Sequence, residues 1–141
     1  MALKASELKV GDKREVKLVD DLSRTRIVQY AGVSGDFNPL HSDEVFATKV
    51  AGYPGVFAHG MLTMGMTGRI VTDWAGADRI IGFGVRFLKQ VWPGDALTAT
   101  AEVTAITTGK DGSPVAEFAI TTTNQNGEVV VSGTASARLD S

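Results

Sequence analysis

An α+β domain, with one long central helix wrapped by a five-stranded antiparallel sheet, is what this 141-residue chain predicts. Three observations predict it. Gly60 to Ala75 runs without proline and is apolar around most of a helical circumference, which predicts a helix buried on more than one side. From Arg79 onward the sequence switches to a period of two, interrupted by turn signals. The elements also arrive in the order strand, helices, strands, which places helices on one side of an antiparallel sheet.

Each element has its own local cause. Val10-Gly11-Asp12 is a turn, and Glu15 to Val19 alternates as a strand. Ser23 can cap a helix whose apolar face carries Ile27, Val28, Tyr30 and Ala31. Gly32 and Gly35 weaken that helix, and Asn38-Pro39 is expected to end it, because a residue before proline is pushed out of the α region. Residues 43–49 read as a short helix and Ala51 to Gly55 as a loop. Gly76 suits the end of the central helix. Beyond it, 79–91 alternates weakly, with Val85, Phe87 and Val91 on one side, and Trp92 to Asp95 turns. Leu97, Ala99, Ala101 and Val103 share one face of the next strand. Lys110 to Pro114 turns again, and Ala116, Phe118 and Ile120 repeat the alternation. Asn126-Gly127 is a tight-hairpin signal before Val129, Val131, Gly133, Ala135 and Ala137. The last four strands are expected to form a meander.

Residues 1–141 read as one domain, without repeat, linker or low-complexity segment. A net charge of −2 provides no electrostatic footprint for nucleic acid or an anionic membrane. Zero cysteines exclude disulfides, thiolate catalysis and Cys-ligated metals, and fit a cytoplasmic protein. The N-terminus, from Met1 to Leu8, lacks the apolar core of a signal peptide, and no stretch is long enough to span a membrane.

Both histidines fall in two nearby segments, Tyr30 to His41 and Phe57 to Met64. On a continuous helix Asp36 and His41 would point to different faces. In a loop with Gly35, Asn38 and Pro39 they can converge on one water, a carboxylate beside an imidazole that titrates near neutrality. Taken singly, each has a plain structural reading, as a turn cap and a packed or surface histidine. Gly60 opens the central helix, where free amides and the helix dipole can hold a negative oxygen. Taken alone it reads as an ordinary glycine start, and His59 as a structural group bonding the preceding loop. Met61, Met64 and Met66 with Gly65 and Gly68 invite an acyl-channel reading, against which core packing is preferred. Two histidines without cysteine or a second carboxylate at ligand spacing argue against a catalytic metal.

Tyr30-Ala31-Gly32-Val33-Ser34-Gly35-Asp36-Phe37-Asn38-Pro39-Leu40-His41, followed by His59-Gly60-Met61-Leu62, resembles the MaoC-like family of (R)-specific enoyl-CoA hydratases and 3-hydroxyacyl-thioester dehydratases. The D-x-N-P-x-H segment carries most of the specificity, and the resemblance extends over most of the chain. It is similar to the single-hot-dog type, and Val71 to Gly76 resembles hydratases of actinobacterial steroid side-chain breakdown. The resemblance implies a hot-dog fold. It also implies Asp36 and His41 as the residues that activate water, and Gly60 N–H as the donor to the thioester carbonyl. Asn38 is a further substrate-binding candidate. Where some members carry a serine on the central helix, this chain has Gly68, which leaves acyl shape preference open.

The implied enzyme is a hydro-lyase acting in fatty-acid or related acyl metabolism. It hydrates trans-2-enoyl thioesters to (3R)-3-hydroxyacyl thioesters or catalyses the reverse dehydration. The substrate is carried on CoA or acyl carrier protein, and no other cofactor is implied. Two alternatives stay open, a hot-dog acyl-thioesterase and a non-catalytic acyl-binding partner subunit of a heteromeric dehydratase. The open sheet edge predicts a homodimer, with a heteromer of related hot-dog subunits as the other arrangement.

Overall fold

A computed structural model describes residues 3–141; Met1 and Ala2, where the single-domain and leader-free readings begin, lie outside the described residues. The elements are β1 (Lys13–Val19), α1 (Arg24–Ser34), α2 (Gly60–Ala75), β2 (Ile80–Phe87), β3 (Leu97–Thr108), β4 (Pro114–Thr123) and β5 (Val129–Arg138). All five strands form one antiparallel sheet in the order β1-β3-β4-β5-β2.

Alternation sets the sheet's inner face. Ala99, Ala101 and Val103 of β3, Ala116, Phe118 and Ile120 of β4, and Ala135 and Ala137 of β5 are all buried in one cluster. The alanines leave room for the larger Ile70, Val71 and Trp74 of α2, and the Trp74 and Phe118 rings meet at 5.2 Å between centroids. Burying each large side chain contributes roughly 1.5–3 kcal/mol. A buried hydroxyl pair, Thr67 Oγ1 to Thr122 Oγ1 at 2.7 Å, fixes α2 over β4. A second cluster of Leu22, Ile27, Ala58, Val91, Leu97, Val130 and Val131 lies under α1 and the loop before α2.

Several expectations change. The last four strands are not a meander: only β3-β4-β5 run as consecutive neighbours, and β2 crosses to pair with β5. The reason is the long link 88–96, which is tied down at Leu88 N–H to Val130 O (2.9 Å) and at Ala58 N–H to Val91 O (2.8 Å). β2 accordingly stops at Phe87, and the buried Val91 belongs to the link.

The hairpin at Asn126-Gly127 is not a two-residue turn. Gly127 alone has positive φ (75°), and its N–H returns to Asn124 O at 3.1 Å. The two-residue form would need positive φ at Asn126 as well. The short helix read over 43–49 is present, with residues 46–50 wound as a π-helical turn. α2 has its expected limits, but one stripe of it, Met61, Gly65 and Arg69, faces outward, so a single copy of the chain does not bury it all round.

Candidate active site

The site is assembled where α1 ends and α2 begins. Ser23 caps α1 through its Oγ, which accepts the Arg26 N–H at 3.1 Å. The helix runs through Gly32 and is stopped by Gly35 (φ 74°), whose N–H donates to Ala31 O at 3.0 Å, ahead of the expected stop at Asn38-Pro39. The chain then winds through polar side-chain turns. Asp36 Oδ1 accepts the Asn38 N–H at 3.3 Å, and Asn38 Oδ1 accepts the Leu40 N–H at 3.0 Å. Asn38 thus caps the short 3-10 turn Pro39–His41, with Pro39 at its first position. That turn delivers His41 inward while the Asp36 side chain stays about half exposed.

His41 and Asp36 come together as the loop composition predicts. His41 Nε2 lies 4.0 Å from Asp36 Oδ2, too long for a direct hydrogen bond and open to a shared small molecule. The other ring nitrogen, Nδ1–H, donates to Phe57 O at 2.6 Å, because a carbonyl oxygen can only accept. Nε2 is therefore the ring nitrogen left facing the carboxylate.

His59 is the residue whose importance the sequence understated. Its Nε2–H donates to Asp36 O at 3.0 Å, across 23 residues of sequence, and its ring stacks on His41 with centroids 3.8 Å apart. Tyr30 meets its edge at 4.9 Å. The expected bond to a preceding loop is thus a bond to the backbone of Asp36. Asp36, His41 and His59 present possible ligand atoms within 4.8 Å of one another, a grouping not visible in their spacing. His59 Nε2 is committed to the Asp36 carbonyl, which leaves Nδ1, buried and without a partner among the described residues, as its free ring nitrogen.

Burial lowers the His59 pKa from its usual value near 6.5, and the nearby His41 adds to the effect. The unfolded chain then binds more protons than the folded one between that lowered value and 6.5, so stability falls as pH drops through this window. Thermal melts should show Tm declining below about pH 6.5, with a shallower decline in His59→Gln. Identical slopes in the two proteins would refute this.

α2 starts at Gly60 with His59 at its N-cap. Leu62 and Thr63 amides donate to His59 O at 3.1 and 3.4 Å, whereas the Gly60 and Met61 amides have no acceptor among the described residues. The glycine also leaves room for Phe87: a Cβ there would approach its ring to 3.1 Å, and this exposed side chain would have to give way by a few tenths of an ångström. Gly60 lines a cavity of about 250 Å³ with Phe57, Ala58, Thr63, Phe87 and Val91. Asp36 and His41 are not in its wall; His41 lies behind Phe57, whose ring it meets edge-on at 5.3 Å. On the other side, Tyr30, Leu62 and Met66 line a second, more open cavity of about 330 Å³. Of the methionines read as an acyl channel, Met66 alone lines either cavity, and the space beside Gly68 is filled by Phe83, 3.2 Å from where a Cβ would stand.

Comparison with known proteins gives the family and the fold. The family described as MaoC like domain matches residues 5–126. An (R)-specific enoyl-CoA hydratase from Aeromonas caviae is 32% identical over 139 residues, covering 97% of this chain and 99% of that protein. Its solved structure superimposes with a TM-score of 0.78. A 3-hydroxyacyl-thioester dehydratase Y from Mycobacterium tuberculosis is 46% identical over 69 residues, which are 47% of this chain and 24% of that protein. This chain thus spans about a quarter of that dehydratase's length. The ChsH1-ChsH2 complex from the same organism contains a chain 29% identical to this one, with a TM-score of 0.77 and coverage of 93% and 98%. The fold is therefore the hot-dog arrangement.

Proposed function

Since the chain belongs to the MaoC-like domain family, we propose that it hydrates trans-2-enoyl thioesters to (3R)-3-hydroxyacyl thioesters and catalyses the reverse dehydration. The observation that carries this is the approach of His41 Nε2 to Asp36 Oδ2, with the imidazole's other nitrogen already locked as a donor. Water held between them loses a proton to the pair as its oxygen bonds to C3. The electrons of the C2–C3 double bond move to the thioester oxygen as an enolate, which Gly60 N–H steadies. Collapse of the enolate takes a proton from the pair at C2, so water adds across one face and the pair ends as it began. The proton is assigned to the pair rather than to either group. His59 holds the Asp36 backbone in place for this step.

The thioester needs no cofactor beyond its CoA or carrier-protein handle. We read residues 1–141 as one hot-dog domain and place it in the cytoplasm, in keeping with its lack of cysteine. The enzyme is proposed to act as a homodimer, supported by the outward stripe of α2 and the open strand edges. Likeness to a chain of the ChsH1-ChsH2 complex supports the heteromeric alternative. Light scattering of the purified chain should give twice the monomer mass; a monomer would exclude the homodimer. With crotonyl-CoA, loss of enoyl absorbance without thiol release is the expected result. Released thiol would indicate the thioesterase, and no reaction the non-catalytic subunit.

A further inference from the structure

Thr63 is 1% exposed, and its hydroxyl has no hydrogen-bond partner among the described residues. Helical threonines usually satisfy themselves on a carbonyl three or four residues back. Thr48 does so on Glu44 O at 2.7 Å and Thr72 on Arg69 O at 3.2 Å, while Thr67 pairs with Thr122 at 2.7 Å. By that rule Thr63 could use His59 O, which already takes the Leu62 and Thr63 amides, or Gly60 O, and its hydroxyl bonds neither. A buried hydroxyl left without a partner is the exception in folded proteins.

Its position gives the exception a use. Thr63 lies three residues after Gly60, on the same face of α2, and lines the same cavity. Helical side chains lean toward the N-terminus, so Thr63 projects over the turn that carries the free Gly60 amide. The rest of the wall is apolar at Phe57, Ala58, Phe87, Leu88, Val91 and Val131 and polar at Lys89 and Gln90.

We propose that the Thr63 hydroxyl is a second hydrogen-bond donor to the thioester carbonyl oxygen, acting beside Gly60 N–H. This rests on the reaction proposed above and assigns a residue to it. Two donors on one oxygen favour the enolate over the neutral carbonyl, so Thr63 acts on turnover more than on substrate binding.

The experiment compares Thr63→Val, which removes the hydroxyl at nearly constant shape, with Thr63→Ser, which keeps it. With crotonyl-CoA, Thr63→Val should lose at least about 10-fold in kcat with KM within about 3-fold, at a Tm equal to or above wild type. Thr63→Ser should keep kcat within about 3-fold. Should Thr63→Val fail to fold, Thr63→Ala replaces it in the comparison with Thr63→Ser. A hydroxyl-free variant with wild-type kcat would overturn the assignment while leaving the hydratase intact, as would equal loss in Thr63→Ser. A wild-type chain inert toward crotonyl-CoA, whatever the variants do, would overturn the reaction and this assignment together.

Discussion

Asp36→Asn is expected to lower turnover of an enoyl thioester at least about 10²-fold, with little change in Tm. The substitution is nearly silent for the fold. An asparagine keeps an oxygen for the Asn38 N–H, and the bond to His59 uses the backbone carbonyl of residue 36 rather than its side chain. The side chain itself is about half exposed, so no buried charge is disturbed. What disappears is the carboxylate 4.0 Å from His41 Nε2. Initial rates with crotonyl-CoA, alongside thermal melts, check this; an Asp36→Asn variant running at half the wild-type rate would remove Asp36 from the chemistry. His41→Ala is a less clean experiment than the motif suggests. The ring is buried, bonded to Phe57 O at 2.6 Å and stacked on His59, so its removal should cost stability as well as rate.

The largest effect on stability is expected at Gly133→Ala. Gly133 sits in β5 between Val85 of β2 and Ile120 of β4. A Cβ there would collide with the Gly84 carbonyl oxygen and come within 2.8 Å of Val85 Cα. Both obstacles are backbone, so no side-chain rotation relieves them, and the β2–β5 ladder must open. The cost should be about 4 kcal/mol or more, a large part of a domain's total stability, with Tm lower by at least about 10 °C. Gly84→Ala is the matched control. Its Cβ would meet nothing within 4 Å, and φ there is not positive, so Tm should be unchanged or slightly higher. Equal Tm values for the two alanine variants would disprove the steric account.

The contrast shows which features a sequence carries and which it does not. Alternation in β3, β4 and β5 and the limits of α2 were legible, because burial on one face imposes a period on local composition. The place of β2 was not, since a link such as 88–96 encodes its destination through distant partners, Val130 and Ala58. Asp36, His41 and Gly60 could be singled out because their residue types and the surrounding Gly, Asn and Pro are chemically unusual together. His59 was seen only as a loop-bonding group, since stacking on His41 and donation to the Asp36 carbonyl are contacts across the fold. Nothing in the sequence singles out Thr63, because the absence of a partner has no sequence signature.

The two segments of the candidate site are stitched at the foot of the excursion 42–56. Phe57 N–H donates to Leu40 O at 3.3 Å, His41 Nδ1–H to Phe57 O at 2.6 Å, and His59 Nε2–H to Asp36 O at 3.0 Å. With its base clamped in this way, the intervening stretch can be lengthened or exchanged at little entropic cost, about 0.6 kcal/mol for each doubling of a flexible loop. Descendants of this chain can therefore remodel the rim of the site, and with it what enters, while the reacting groups keep their places.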